Sequence, residues 1–392
     1  MRPAPLRRRD GTSPVALADR VFRLSDRYRL IARVRLEAFQ RRQLGLDRYA
    51  AESGGVLVPV ADDVPAKLIC PATLTLLRAL KRPGRIPQVA RRWLRADPQA
   101  LARLVLDEVL ELRDGSGYVS GPSAVRALGL ARPAASSRTR LGQLAIDALR
   151  YAEQAEEATP TGIADRLYFY NRAPLSPAWA GRLANPQAVA AFLGVGSTRP
   201  VGQLLRSAWR STSTAQTGWL AWSSRARDCE TARHKLYVSI DLADLEAAFP
   251  TVVAIASAEN VPAFKVASDV YGLHRPDKLV LYVASRRDIV RVGRRLRAAL
   301  KGARAQGAPF SAALDAEGLV SWGLDPPEPV PEHAASWRRD VTMRLAFALL
   351  SARRQDSGPL EPWEYALTRV ALEGIDTVRW QPREPARSRA RH

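Results

Sequence analysis

Residues 263–285 read AFKVASDVYGLHRPDKLVLYVAS. Two apolar runs, AFKVAS and KLVLYVAS, flank a turn-forming segment. Both alternate and are rich in β-branched or aromatic residues, which predicts two strands. A third strand, KLYVSI (235–240), lies upstream. Asp241 then caps the helical run LADLEAAFPTVVAIASAEN. Downstream, SRRD (285–288) is a capping box for the helix IVRVGRRLRAALKG. APFSAALD and GLVSWG read as a fourth and a fifth strand. The order β-α-β-β-α-β is the split βαβ pattern, so the expected fold class is α+β.

Successive side chains of a strand point to opposite faces. Leu236, Val238, Ile240, Phe264, Val266, Leu279, Leu281 and Val283 then form an apolar face for the two helices. The opposite face carries Lys235, Tyr237, Lys265, Lys278, Tyr282, Ser311 and Asp315. Of the 60 basic residues only six are lysine, and three of those six stand on this face. Arginine stays charged throughout the biological pH range. Ammonium groups that crowd one another under partial cover give up a proton more readily, and a neutral lysine is a base. Such a face suits holding an anion with some cations while another removes a proton. The plainer alternative is a row of solvated lysines that deters edge pairing.

The 392 residues carry a net charge of +21, which favours an anionic partner or reflects a solvated, arginine-rich surface. Four histidines and two distant cysteines, Cys70 and Cys229, offer no zinc-site spacing. No apolar run approaches a membrane span, and the expected setting is cytoplasmic. The chain is expected to divide into a mostly helical region over 1–150, an α+β domain over 151–356 and an extension over 357–392. The extension ends in a basic, apolar-free tail expected to be disordered. Residues 12–50 read as helix and GGVLVPV as a strand. PATLTLLRAL and VARRWLRADPQALARLVLDEVLEL read as helices, and LELRDGSGYVSGP as a hairpin. Helices followed by a two-stranded wing make a winged-helix-like module over about 65–125. LARPAASSRTR reads as a linker, and 188–230 as helical or irregular, with Trp209, Trp219 and Trp222 assigned to packing. Arg338 and Arg344 read as solvated helix charges.

RPDKLVLY, with Arg275, Asp277 and Tyr282, resembles a strand motif of the HopA-type effector family, which also occurs as the lyase component of class V lanthipeptide biosynthesis. AFKV with Lys265, RLYFYNRAPLSP, and GLVSWGLDPP followed by SWRRD are similar to further elements of that family. The order HKLYVS, FK, DKLVLYV, GAPFSAALD, WG is also similar to the phospholyase domain of class III lanthipeptide synthetases. The likeness spans about residues 160–355. It implies β-elimination of phosphate from phosphoserine or phosphothreonine in a peptide, without a metal or other cofactor. Lys265 would be the base, and Lys235 would bind phosphate or stabilise the enolate. Arg275 and Lys278 would neutralise phosphate charge, with Asp277 and Tyr282 orienting them. In the phospholyases a histidine stands two residues after the first lysine as general acid. Here that position is Tyr237, and His234 or His274 is the candidate substitute. The sequence holds no kinase Gly-rich loop or His-Arg-Asp loop, so a separate kinase would supply the phosphorylated peptide or protein.

Two other classes fit the same residues. The β-α-β-β-α-β order is shared with RNA-binding sheets that stack bases on aromatic rings, here Tyr237 and Tyr282. The chain equally suits a partner-binding subunit without chemistry.

Overall fold

The structure, a computed structural model, describes residues 17–38, 54–60, 66–133, 139–156, 159–213, 218–226, 232–326, 336–353 and 358–383. It is mixed α and β with several antiparallel sheets. The chain forms two compact units, 1–133 with 348–373, and 134–347 with 374–392. The division falls inside LARPAASSRTR rather than at residue 150, and part of the expected C-terminal extension belongs with the first unit. The basic tail beyond 383 lies outside the described residues.

In the first unit the expected helix over 12–50 is replaced, within its described part, by strands β1 (Val21–Leu24) and β2 (Tyr28–Ala32). VFRL and YRLIA are short and carry β-branched or aromatic residues about Ser25-Asp26, a turn signal. The apolar residues there also recur at three and four, which made helix the competing assignment. GGVLVPV forms β3 (Gly55–Pro59), which pairs with β2 and β4 (Lys67–Ile69). Helices α1 (Pro71–Ala79), α2 (Gln88–Ala96) and α3 (Ala100–Leu106) follow, with β5 (Gly84–Arg85) after the first. The long run expected as one helix breaks at Asp97-Pro98, because proline has no N–H for the helix ladder. Its end, LELRD, is strand β6 (Leu110–Asp114). β6 pairs with β7 (Gly117–Val119) across Gly115, whose φ of +59° suits glycine in a tight hairpin.

The second unit begins with helices α4 (Arg140–Glu153), α5 (Pro160–Tyr168), α6 (Pro177–Arg182), α7 (Pro186–Phe192) and α8 (Pro200–Ala208). Their N-caps follow the sequence, as where Thr139 accepts from Gly142 and Ser176 from Trp179. The sheet strands are β8 (Trp209–Ser211), β9 (Trp219–Ser224), β10 (His234–Val238), β11 (Ala263–Ala267), β12 (Leu279–Val283), β13 (Ala312–Ala313) and β14 (Val320–Leu324). They form one antiparallel sheet in the order β13-β14-β10-β12-β11-β9-β8. β8 and β9 fall where helix or irregular chain was expected. GWLAWSS alternates Trp219 and Ala221 against Leu220 and Trp222, a strand pattern in a Trp-rich stretch. Helix α9 (Leu242–Ala258) connects β10 to β11, and α10 (Arg286–Ala299) connects β12 to the β13–β14 pair. Asp241 accepts from Ala243 and Ser285 from Asp288 at the two N-caps.

The helices cover the apolar face. Leu236, Val238, Phe264, Val266, Leu279 and Leu281 share one core with Phe249, Val252, Ile289, Val292 and Leu296. Phe264 is its centre, edge-on to Trp209 at 4.6 Å and stacked on Trp222 at 4.9 Å. Burying such a ring stabilises the fold by about 3 kcal/mol. APFSAALD contributes only two residues of strand. Phe310 has φ +60°, outside the β region, so the alternation expected through Ser311 and Asp315 is broken.

On β14, Gly323 faces away from this core beside Lys235. A Cβ at Gly323 would lie 2.7 Å from the Trp337 ring. Gly323→Val is expected to destabilise the protein by about 1–3 kcal/mol, read as a fall in urea midpoint.

Candidate active site

Strand register puts Lys235 and Tyr237 (β10), Lys265 (β11), Tyr282 (β12), Ser321 (β14) and Trp219 (β9) on the face opposite the helices. Much of this face is covered within the unit. Tyr237 is 3% exposed and packs with Val280, Ala308 and Tyr282. Lys265, Tyr282, Trp219 and Arg275 remain half-buried.

Asp277 is the hub of a buried polar knot. Its carboxylate accepts Arg275 Nε at 2.9 Å and Nη2 at 3.0 Å, and the Tyr168 hydroxyl at 2.9 Å. Arg338 Nη1 lies 2.8 Å away, and Arg338 is fully buried. Arg338 also donates to the carbonyls of Pro309 and Tyr168. Arg275 Nη2 donates to the Tyr168 oxygen at 2.9 Å. Burial alone would raise the Asp277 pKa, but the Arg338 and Arg275 charges outweigh it and hold the carboxyl well below the usual range. Burial, then Asp277, pushes Tyr168 up to about 12. Two guanidiniums share one carboxylate, so the knot keeps a net positive charge and fixes Arg275, whose side chain is 16% exposed.

Lys235 Nζ lies 2.6 Å from Asp325 Oδ2 and 5.2 Å from the centre of the Tyr282 ring. Asp325 is held by the Trp337 N–H on its other oxygen. Lys265 differs: among the described residues its ammonium makes no hydrogen bond or ion pair. It lies 4.0 Å from the Trp219 ring centre and 6.0 Å from that of Tyr282. Burial, helped by the Lys235 charge and opposed by Asp277, lowers its pKa to about 8.

Lys278 stands apart. It is 0% exposed and donates to the Ile240 carbonyl at 2.7 Å and to the Gln306 side chain. Burial lowers its pKa to about 7. Gln306 in turn donates to the carbonyls of Asn171 and His274. Lys278 thus fastens the 304–307 segment at the end of the sheet. His274 is buried with its Nδ1 2.7 Å from the Val270 carbonyl. His234 shares the parity of Leu236 and lies near Trp322, on the helix-covered face. Ser311 bonds Ser321 and the Ala308 carbonyl. Asp315 accepts from the Leu319 and Val320 N–H groups and so shapes the turn into β14.

Tyr237 takes the place expected for an acid. Its hydroxyl is buried with no hydrogen-bond partner among the described residues. Burial, reinforced by Asp325, raises its pKa well above 10, so it keeps its proton. The site thus gathers Lys235, Tyr237, Lys265, Tyr282, Arg275 and Asp277, while Lys278, His274 and His234 engage other groups. Tyr168, Trp219, Asp325 and Arg338 join it from distant sequence. Arg338, expected in solvent, is one of the largest fully buried side chains.

No protein-family model and no curated protein matches the sequence. Among solved structures, the chain is similar to an effector protein from Pseudomonas syringae pv. tomato strain DC3000, at 12% identity and a TM-score of 0.39, over 63% of this chain and 99% of that one. It is similar to an effector from Pseudomonas syringae pv. syringae strain 61 at 16% identity and 0.36, over 62% and 99%. A phosphothreonine lyase aligns at 10% identity and 0.26, over 55% and 99%. These are distant likenesses of fold.

Proposed function

We propose that the second unit is a phosphoserine/phosphothreonine lyase that eliminates phosphate from a peptide. The observation that carries this is Lys265: a lysine with its pKa lowered to about 8, without an anionic partner among the described residues, beside a fixed arginine. Neutral Lys265 Nζ takes the Cα proton. The electron pair of the Cα–H bond becomes the Cα=Cβ bond, and the Cβ–O bond breaks. Phosphate leaves as hydrogen phosphate, so the proton taken from Cα is returned to it overall. Arg275 binds the phosphate, and Lys235 supports the carbonyl oxygen as the enolate forms. Asp277 and Tyr168 hold Arg275 in place. Tyr237 keeps its proton and is not assigned as the acid. Lys278 is assigned to holding the 304–307 segment.

The order β14-β10-β12-β11, with helices on both crossovers, supports a split βαβ description of this unit. In the first unit, three helices followed by the β6–β7 hairpin support the winged-helix-like description, with a role in docking the peptide outside its phosphorylated residue. A separate kinase would supply the substrate, as in lanthipeptide-type biosynthesis in a bacterial cytoplasm. The base-stacking alternative is disfavoured by Tyr237, which is buried rather than presented. Among the described residues no helix is long and apolar enough to cross a membrane.

The test is mass spectrometry of a phosphoserine/phosphothreonine peptide library incubated with the protein. Loss of phosphoric acid to leave dehydroamino acids is expected, and intact peptides throughout would overturn the proposal. The base must be neutral, so kcat/KM should rise with pH, tenfold per pH unit below about 8, and level off above it. A rate flat from about pH 6 to 9 would remove Lys265 as the base.

A further inference from the structure

Three tryptophans stand on the two strands added beside β11. Trp209 and Trp222 are buried, at 2% and 5% exposure, and pack on Phe264. Trp219 is half-buried, and its ring faces the site. Register explains why: Trp219 is opposite Ala267 and Ala221 is opposite Lys265, so Trp219 and Lys265 are diagonal neighbours on one face. The Lys265 ammonium lies 4.0 Å from the ring centre and the Arg275 guanidinium carbon 5.2 Å from it. Arg275 also lies 5.3 Å from the rings of Tyr168 and Phe169.

Two cations therefore share one indole. Each repels the other, and Asp277 is committed to Arg275, Arg338 and Tyr168. We propose that Trp219 is a positioning residue: before substrate arrives, the negative face of its ring takes the place of the substrate's phosphate charge and holds Lys265 and Arg275 together. Indole is the strongest natural partner for a cation through its ring face. A carboxylate at this point would also hold both cations. It would, however, fix Lys265 as ammonium and compete with phosphate for Arg275. A neutral ring holds the pair while leaving the lysine able to lose its proton. Phosphate, with its full charge, displaces the ring at little cost.

This proposal deepens the lyase reading but does not need turnover for its test. The six lysines allow isotope-labelled dimethylation and nuclear magnetic resonance titration, with the Lys265 signal assigned by Lys265→Arg. Ring-fluorinated tryptophan is placed at position 219 by nonsense suppression. Fluorination empties the negative ring face without changing size, so the cover over Lys265 is preserved. The Lys265 titration midpoint should fall by about half a pH unit, with Trp219→Phe between that and wild type. An unchanged or raised Lys265 midpoint in the folded fluorinated protein overturns the proposal. Should that protein not fold, Trp219→Phe is judged by the same criterion. With an active enzyme, Trp219→Leu should raise KM for phosphopeptide about tenfold while kcat falls less. Failure of the wild type to eliminate phosphate would sink the lyase reading alone, because the titration stands without it.

Discussion

Lys265→Ala is expected to lower the elimination rate by roughly 10²–10⁴-fold, the usual contribution of a positioned general base. Lys265→Arg should be nearly as damaging, because a guanidinium stays protonated and takes no proton from Cα. Both variants keep Arg275 and Lys235, so phosphopeptide should still bind, and calorimetry would separate lost chemistry from lost binding. Stability should move the other way. The folded pKa of Lys265 is about 8, below the model-peptide value, so the unfolded chain takes up the proton first. Stability is therefore lost as pH falls from about 10.4 through about 8 and stays reduced below that. Lys265→Met should raise stability by about 2 kcal/mol at neutral pH and by much less near pH 11. Urea unfolding at both pH values checks this. Equal gains at both would mean that the ammonium carries no burial cost.

The second large effect lies at Asp277. Asp277→Ala leaves the fully buried Arg338 guanidinium and the Arg275 guanidinium facing each other without a counter-ion. Removing one partner from a buried ion cluster costs about 3–5 kcal/mol. Phosphate binding should weaken as well, since Arg275 loses its two bonds to the carboxylate. The double variant Asp277→Asn with Arg338→Met removes the stranded charge and should recover at least half of the lost stability, but not the activity. Urea midpoints and phosphopeptide kinetics on both proteins decide this. A single variant as stable as wild type would mean that water reaches the knot.

Much of the sheet was legible because alternation is strict within three of its strands, β10, β11 and β12. KLYVS, AFKVA and KLVLYV each put an apolar series on one side, and the helices between them have unambiguous caps. That parity alone gathers Lys235, Tyr237, Lys265 and Tyr282 on one face. Parity tells which face a side chain takes, not how deep it lies. Lys278 obeys it, yet its ammonium turns into the protein to meet the Ile240 carbonyl. Ser311 and Asp315 escaped it because Phe310 leaves the β region. The remaining site residues depend on contacts distant in sequence. Tyr168 meets Asp277 across 109 residues, and no local pattern around either encodes the other. Arg338 looked like a solvated helix charge because nothing nearby says that Asp277 lies above it. Trp219 was hidden by a tryptophan-rich stretch whose strand is only six residues long. The first unit misled for a related reason: VFRL and YRLIA are short enough that periods of two and of three to four both fit.

The most direct measurement uses a phosphothreonine peptide carrying deuterium at Cα, incubated with the protein and read by mass spectrometry. Elimination predicts a product that has lost both the phosphate and the Cα deuterium, with a slower rate than the protiated peptide. A product that has lost phosphate but keeps a hydroxyl group and the deuterium would be hydrolysis. That result, or an untouched peptide, would contradict Lys265 as a base acting at Cα.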